Sequence, residues 1–139
     1  MIEKQISIFL ENKPGVLADV CKTLGAYDIN IRGISVSDTV DHAVVRMIVD
    51  NPRKAIHVLG EHGALVVETD VLALELDDKP GTLAKLASKF SRGKVNIEYA
   101  YGTSDGTEAT VFVRVSDVKK AVQLLSPKKR PKKKTAKRQ

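Results

Sequence analysis

The sequence repeats itself at an offset of 66 residues. Residues 11–18 read Glu-Asn-Lys-Pro-Gly-Val-Leu-Ala, and residues 77–84 read Asp-Asp-Lys-Pro-Gly-Thr-Leu-Ala. The two halves align without a gap from Glu11/Asp77 to Leu59/Leu125. A repeat of this length determines the architecture, because both copies are expected to fold in the same way. Each copy is too small to bury a large core alone, so we expect the copies to pack against each other.

Within one copy, the spacing of apolar residues alternates between the strand period and the helix period. Residues 2–10 indicate a strand, and apolar residues then recur at helical spacing from Leu17 to Leu24. Two strands, a helix that starts near Pro52 and a fourth strand at 64–68 follow. The order β-α-β-β-α-β predicts an α+β fold of two tandem ferredoxin-like units, with antiparallel sheets and the helices on one face.

The second copy has no clear fourth strand. Ser-Pro-Lys at 126–128 stands where that strand is expected, and the prolines and like charges that follow do not suit a buried strand. The predicted units are therefore residues 1–69 and 70–125, followed by a basic disordered tail at 126–139.

The missing strand would flank the first strand of the second copy, so residues 71–76 are predicted to form an exposed edge. Two solutions are open. Either the strand at 64–68 continues into 70–76 and is shared between the copies, or a second chain pairs with the edge. Of these, the prediction favours a homodimer.

The composition excludes several classes of protein. The chain of 139 residues has one cysteine and no apolar run of the roughly 20 residues that a membrane helix needs. An internal disulfide is therefore excluded, and a cytoplasmic location with no membrane contact is expected. The net charge of +6 arises in the tail, because residues 126–139 hold eight Lys and Arg and no acid. The remaining body has 15 basic and 17 acidic residues.

The repeated Pro-Gly segment marks a corner between a strand and a helix. Proline suits the first turn of a helix, and glycine lets a backbone or a ligand come close. The free N–H groups of the first helical turn can hold a carboxylate or a phosphate. This β-α-β-β-α-β order, with Pro-Gly at the first corner and Asn-Ile at the start of the second strand, resembles the ACT domain, twice over residues 1–125.

The resemblance implies a small regulatory module that binds an amino acid between two paired ACT domains. The first strand-to-helix loop of one domain and the second strand of its neighbour would hold the ligand. The implied residues are Asn12, Lys13, Pro14, Gly15, Val16, Leu17, Asn30 and Ile31 in the first copy, and Asp78, Lys79, Pro80, Gly81, Thr82, Leu83, Asn96 and Ile97 in the second. Non-equivalent sites are expected, because Asn12 can donate or accept whereas an ionised Asp78 only accepts. Alternatively, Asn30 and Asn96 only cap the turn into a strand.

No other chemistry is indicated. His57 and His62 are five residues apart, which puts them on different faces of a helix, and no cysteine accompanies them. The sequence therefore predicts neither a metal site, a cofactor nor a catalytic residue. The same element order also occurs in RNA-recognition modules, but here the central strands offer only Phe9 and Phe112 for stacking on bases. We predict a non-catalytic amino-acid-binding regulator, with non-specific nucleic-acid binding by the tail as the alternative.

Overall fold

The computed structural model describes residues 1–126. Both copies contain the first five predicted elements, in the order β-α-β-β-α. The strands are β1 (Ile2–Glu11), β2 (Ile31–Asp38), β3 (His42–Val49), β4 (Leu65–Asp77), β5 (Ile97–Ser104) and β6 (Glu108–Val115). The helices are α1 (Val16–Ala26), α2 (Pro52–Glu61), α3 (Thr82–Arg92) and α4 (Val118–Leu125).

The two copies share one six-stranded antiparallel sheet in the order β2-β3-β1-β4-β6-β5. Strand β4 has 13 residues and serves both copies, since it is the last strand of the first and the first strand of the second. It passes without interruption through the expected boundary at residues 69 and 70. The shared strand, one of the two solutions left open by the sequence, is therefore the observed one.

The register between β1 and β4 relates the copies by an approximate two-fold axis. Lys4 pairs with Asp70, which is its own equivalent at an offset of 66 residues. Lys4 Nζ donates to Asp70 Oδ1 at 2.6 Å, and this contact raises the pKa of Lys4. Ile2 pairs with Leu72, and Ile6 pairs with Glu68. The offset of 66 residues converts one of these pairs into the other. The axis thus passes through the Lys4–Asp70 pair, perpendicular to the sheet.

The four helices of residues 1–126 pack on one face of the sheet, as predicted. Ile6 and Ile8 of β1 face a core formed with α1 and α2, and their equivalents Leu72 and Leu74 face a core formed with α3 and α4. Because neighbouring residues of a strand point to opposite faces, the odd-numbered residues of β1 and β4 lie on the helix-free face.

The sheet curls around its helix-free face until its two outer strands meet. Strands β2 and β5 are in contact, and Gly33 of β2 lies so close to Phe112 of β6 that an added Cβ would be 2.8 Å from the ring. Phe112 is buried with Ile48 and Val71 in a third cluster on this face. The helix-free face is therefore the concave, inner face of the curled sheet.

The predicted exposed edge at residues 71–76 is only partly present. Val71 and Leu72 are not part of an edge, because β1 pairs with β4 as far as Leu72 and the carbonyl of Met1 accepts from the N–H of Ala73. From residue 74 to 77, β4 pairs with β6 on one side only, within the part of the chain that the structure describes. The predicted tail lies outside the described residues, except for Ser126.

Candidate functional site

The Pro-Gly segments form tight turns that precede the helices. The N–H of Val16 donates to the carbonyl of Lys13 at 3.4 Å, and Gly15 has φ 91° and ψ −19°. This is a type II turn with Pro14 at its second position, and α1 begins only after Gly15. The interpretation of Pro14 and Pro80 as residues of the first helical turn was therefore wrong. Pro52, at the start of α2, does occupy that position.

Glycine is required in these turns by its backbone angle. Gly15 and Gly81 have φ values of 91° and 88°, which side-chain-bearing residues rarely adopt. The space around both is open, since an added Cβ would find no heavy atom within 4 Å. The structure thus explains the glycines by the turn, and not by a crowded approach of a neighbouring group.

Helices α1 and α3 start without a side-chain cap, unlike the other two. Asn51 and Asp117 accept backbone N–H groups at the starts of α2 and α4, whereas Gly15 and Gly81 offer no side chain. The N–H groups of the second and third helical residues then have no protein acceptor among residues 1–126. These residues are Leu17 and Ala18 in the first copy, and Leu83 and Ala84 in the second.

Asn12 and its equivalent Asp78 connect each corner to the neighbouring hairpin. Asn12 Nδ2 donates to the carbonyl of Thr39 at 3.4 Å, and Asp78 Oδ2 accepts from Ser104 Oγ at 2.8 Å. Both side chains therefore connect their corner to a hairpin, but the amide of Asn12 does so as a donor and the carboxylate of Asp78 as an acceptor. Each retains an oxygen, Asn12 Oδ1 or Asp78 Oδ1, that has no hydrogen bond in the described part of the chain.

The Asn-Ile segments are held by their backbones. The N–H of Asn30 donates to Asp50 Oδ1 at 3.1 Å, and the N–H of Asn96 donates to Ser116 Oγ at 2.9 Å. The side chains of both asparagines are exposed and make no hydrogen bond within residues 1–126. The turn into the strand is thus fixed by backbone groups and does not need the amide side chains.

The structure does not bring the two predicted parts of the site together within a copy. Ile31 pairs with Val49 at one end of β3, whereas the first corner follows Glu11, which pairs with His42 at the other end. Seven residues of strand separate these ends, or about 23 Å. Leu83 does border a cavity of about 390 Å³ with the far half of β5, from Ala100 to Ser104. The start of β5 at Asn96 is not part of it.

A buried polar group on the concave face was missed by the sequence interpretation. Gln5 is fully buried, its Nε2 donates to Tyr99 Oη at 2.7 Å, and its Oε1 accepts from Tyr101 Oη at 2.7 Å. Burial raises the pKa of Tyr101, although the nearby charge of Arg46 acts in the opposite direction. Gln5 follows Glu3 and Lys4 in the sequence and carries no local signal of burial, and nothing local connects it to tyrosines more than 90 residues away.

The sequence profile of the ACT domain pair family matches residues 1–131. The chain belongs to this family. The ACT pair is similar to the crystal structure of protein BT0572 from Bacteroides thetaiotaomicron, with 36% identity over 90% of this chain and 87% of that chain, and a TM-score of 0.87. No curated protein matches the ACT pair.

Two regulatory subunits of aspartate kinase share the fold of the ACT pair. The subunit from Thermus thermophilus is 17% identical, over 87% of this chain and 89% of that chain, with a TM-score of 0.68. The subunit from Thermus flavus is 16% identical, over 89% and 92% of the two chains, with a TM-score of 0.60. At this identity the likeness is one of fold.

Two further findings apply to residues 1–126, the part of the ACT pair that the structure describes. Its helices, of 8 to 11 residues, are too short to cross a membrane. No group of three or more His, Cys, Asp or Glu side chains is placed to hold a metal ion within this range.

Proposed function

We propose that this ACT pair is a non-catalytic regulatory protein that binds an amino acid at its Pro-Gly corners and thereby senses amino-acid metabolism. The observation that carries the proposal is that two N–H groups at the start of α1, and the equivalent two at the start of α3, have no acceptor within residues 1–126. They occupy the loop to which the ACT resemblance assigns the ligand. The regulatory subunits of aspartate kinase with the same fold support a regulatory role.

The chemistry of the first corner fits a zwitterion. The N–H groups of Leu17 and Ala18 carry the partial positive charge of a helix start and can donate to a carboxylate. Asn12 Oδ1 can accept from an ammonium group while Asn12 Nδ2 remains on Thr39. In the second corner, the charge of Asp78 would attract the ammonium group but repel the carboxylate. We therefore propose that the first corner binds more tightly.

A second chain is needed if the second strand of a neighbouring ACT unit completes the site. In one copy, the corner and the Asn-Ile segment lie at opposite ends of the strands. The edge strand β2 also exposes Ile34 and Val36, with relative exposures of 44% and 51%, and such a surface can be covered by another protein chain. We therefore propose a homodimer whose contact includes β2, and a cytoplasmic location for it.

A thermal-shift screen of the full chain against the twenty amino acids tests the proposal, because a ligand that binds only the native state raises its stability. The repeat supplies matched variants. Ala18→Pro and Ala84→Pro each remove one free N–H group in the first helical turn, so that no intrahelical hydrogen bond is lost. We expect Ala18→Pro to weaken binding about tenfold and Ala84→Pro to have a smaller effect.

Two results would contradict the proposal. One is that no amino acid raises the melting temperature, and the other is that a bound amino acid is insensitive to both proline variants while they remain folded. Sedimentation equilibrium of the ligand-bound protein tests the dimer. A monomer at every concentration would show that one chain forms the site alone.

The alternative of base-stacking RNA recognition loses one of its two aromatic residues. Phe112 is 5% exposed and packs against Tyr101 inside the curled sheet, with the ring centroids 5.5 Å apart. Of the pair, only Phe9 is exposed. Nucleic-acid binding by the tail, which lies outside the described residues except for Ser126, stays a prediction.

A further inference from the structure

The last residues of β4, Leu74–Asp77, form a short open edge of the sheet. They pair with β6 on one side, and the last contact on the β1 side is the one from the N–H of Ala73 to the carbonyl of Met1. Successive residues of an antiparallel strand direct their backbone groups to alternate sides. Glu75, two residues after Ala73, therefore directs its N–H and C=O groups to the open side, where they have no partner among residues 1–126.

The equivalent edge of the first copy shows what such a strand accepts. Phe9 of β1 is the equivalent of Glu75, and it pairs with Leu65 of β4. Ala64 and Val66, on either side of Leu65, pack against the core beneath the helices. An extended segment with apolar side chains at every second position therefore completes an edge of this kind.

A groove of about 690 Å³ lies beside the open edge, between β4 and the helices α3 and α4. Its floor is apolar and is formed by Leu76, Leu86 and Leu125. Leu86 is a buried residue of the second core, and Leu76 and Leu125 are half-buried against that core. An apolar side chain from an added strand would find apolar contacts here.

The rim of this groove is basic. It carries three exposed residues from one face of α3, namely Lys85, Lys89 and Arg92. None of them makes an ion pair within residues 1–126, and α3 contains no acidic residue. The equivalent residues of α1 are Asp19, Thr23 and Ala26, so the fold does not require these charges. Like charges three or four residues apart on a helix repel each other, and an acidic partner would relieve the repulsion.

The chain itself offers two poorer occupants of the edge. The residue 66 positions after Leu65 is Pro131, which has no N–H to donate, and residues 128–130 and 132–134 around it are all Lys or Arg, like the rim. A second copy of the chain would pair its own edge with this one. That pairing would place Glu75 and Asp77 of both chains close together, and like charges in such positions are destabilising.

We propose that the open edge and its groove bind an extended acidic segment of another protein, which joins the sheet as an additional strand beside β4. The main chain of the segment pairs with the N–H and C=O groups of Glu75. Its side chains on the helix side are apolar and acidic, and they contact the floor and the rim. Its side chains on the concave side are uncharged, because Glu75 and Asp77 project from that face. A nucleic acid could match the charges of the rim but has no peptide backbone to extend the sheet.

Fluorescence anisotropy of the full chain with labelled octapeptides tests the proposal. In the acidic peptide, threonine occupies every second position, and glutamate and valine alternate at the others. One control peptide has lysine in place of glutamate, and another has proline in place of the two central threonines. All three are blocked at both ends, so that none resembles a free amino acid. We expect saturable binding of the acidic peptide, at least about tenfold tighter than that of either control, because the controls lose the charge match or the backbone donors.

Charge-reversal variants assign the binding to the rim. Lys85→Glu/Lys89→Glu should lower the affinity for the acidic peptide about tenfold, since two exposed ion pairs are replaced by repulsive contacts. The matched control is Lys22→Glu/Lys54→Glu, which changes the net charge equally at exposed positions of α1 and α2. Circular dichroism checks that both are folded, and the peptide series on the wild type decides the question without them.

The proposal is supported if the acidic peptide binds best and only the rim variant weakens it. Absence of saturable binding, or equal binding of the lysine or the proline peptide, overturns it. Equal affinity in the two double variants also overturns it, because that result would place the peptide on the basic tail. Loss of binding to a single-stranded oligonucleotide, and not to the peptide, in the rim variant would overturn the assignment of a protein partner. Because the peptides are blocked, failure here leaves the amino-acid proposal for the corners untouched.

Discussion

The contact between Gly33 and Phe112 offers a direct test of whether the sheet curls until its outer strands meet. An alanine Cβ at position 33 would lie 2.8 Å from Phe112 Cε2, and 3.4 and 3.5 Å from two other ring atoms. Carbon atoms in contact prefer about 3.5–4.0 Å, so the ring would have to move by roughly 0.7 Å. Gly33→Ala should therefore separate β2 from β6, and loosen the contact between the two copies, without touching either helical core.

The cost follows from how little room the ring has. Phe112 is 5% exposed and is enclosed by Ile48, Val71 and Tyr101. Overpacking at such a site costs about 1–3 kcal/mol. The reduced freedom of the unfolded chain offsets about 0.4–1 kcal/mol, as for any glycine replaced by alanine at a compatible backbone angle. We expect a net loss of about 1 kcal/mol in the free energy of unfolding.

Urea unfolding monitored by circular dichroism measures the change. Gly60→Ala is the matched control, because Gly60 lies in helix α2 and an added Cβ meets no heavy atom within 4 Å. That variant should gain about 0.5–1 kcal/mol. The double variant Gly33→Ala/Phe112→Leu should recover part of the loss, with a favourable coupling of about 1 kcal/mol.

A stability for Gly33→Ala equal to or above that of the wild type would refute the reasoning. So would strict additivity in the double variant, because residues in contact share their energetic effects. Either result would mean that the outer strands do not meet in solution.

Two further predictions concern the tyrosines and the tail. Burial holds the pKa of Tyr101 above its ordinary value of 10.0, so its contribution to stability is present below pH 10 and should be lost as the pH rises through the folded-state value. Absorbance titration of the wild type and of Tyr101→Phe should show that the tyrosine lost in the variant ionises above pH 10, and its ionisation at or below pH 10 would contradict this. Deleting residues 126–139 should reduce any affinity for nucleic acid to near zero, since the remaining body has 15 basic and 17 acidic residues; salt-dependent binding by the truncated chain would disprove it.

The order of the elements could be predicted from the sequence because it depends on local patterns. The period of apolar residues placed the helices, and the repeat confirmed each assignment by a second example. The continuity of β4 also had a local signal, since Glu68, Thr69 and Asp70 contain no turn-forming glycine or proline. The preference for a homodimer assumed an unpaired edge over all of residues 71–76, whereas β1 extends to Met1 and pairs with β4 as far as Leu72.

Two kinds of feature could not be predicted. Some depend on contacts between residues that are far apart in the sequence, and others on a local pattern that fits two conformations equally well. Proline before a helix fits both a type II turn and the first helical position, and the chain uses the turn at Pro14 and the helical position at Pro52. The curl joins Gln5 to Tyr99 and Tyr101, and no period within either copy records that contact.

The two-fold relation gives the curl two equivalent contacts, and the copies have filled them differently. Gly33 faces Phe112, and the residues 66 positions later and earlier, Tyr99 and Arg46, also face each other. In one contact a missing side chain makes room for a buried ring, so packing alone accounts for both residues. In the other, a tyrosine covers one face of a guanidinium group whose Nε remains without an acceptor. Closure of the sheet requires only that each contact be filled, which an apolar pair would do at less cost in desolvation. Packing thus accounts for Gly33 and Phe112, whereas the charge of Arg46 is offset within residues 1–126 by its stacking on Tyr99.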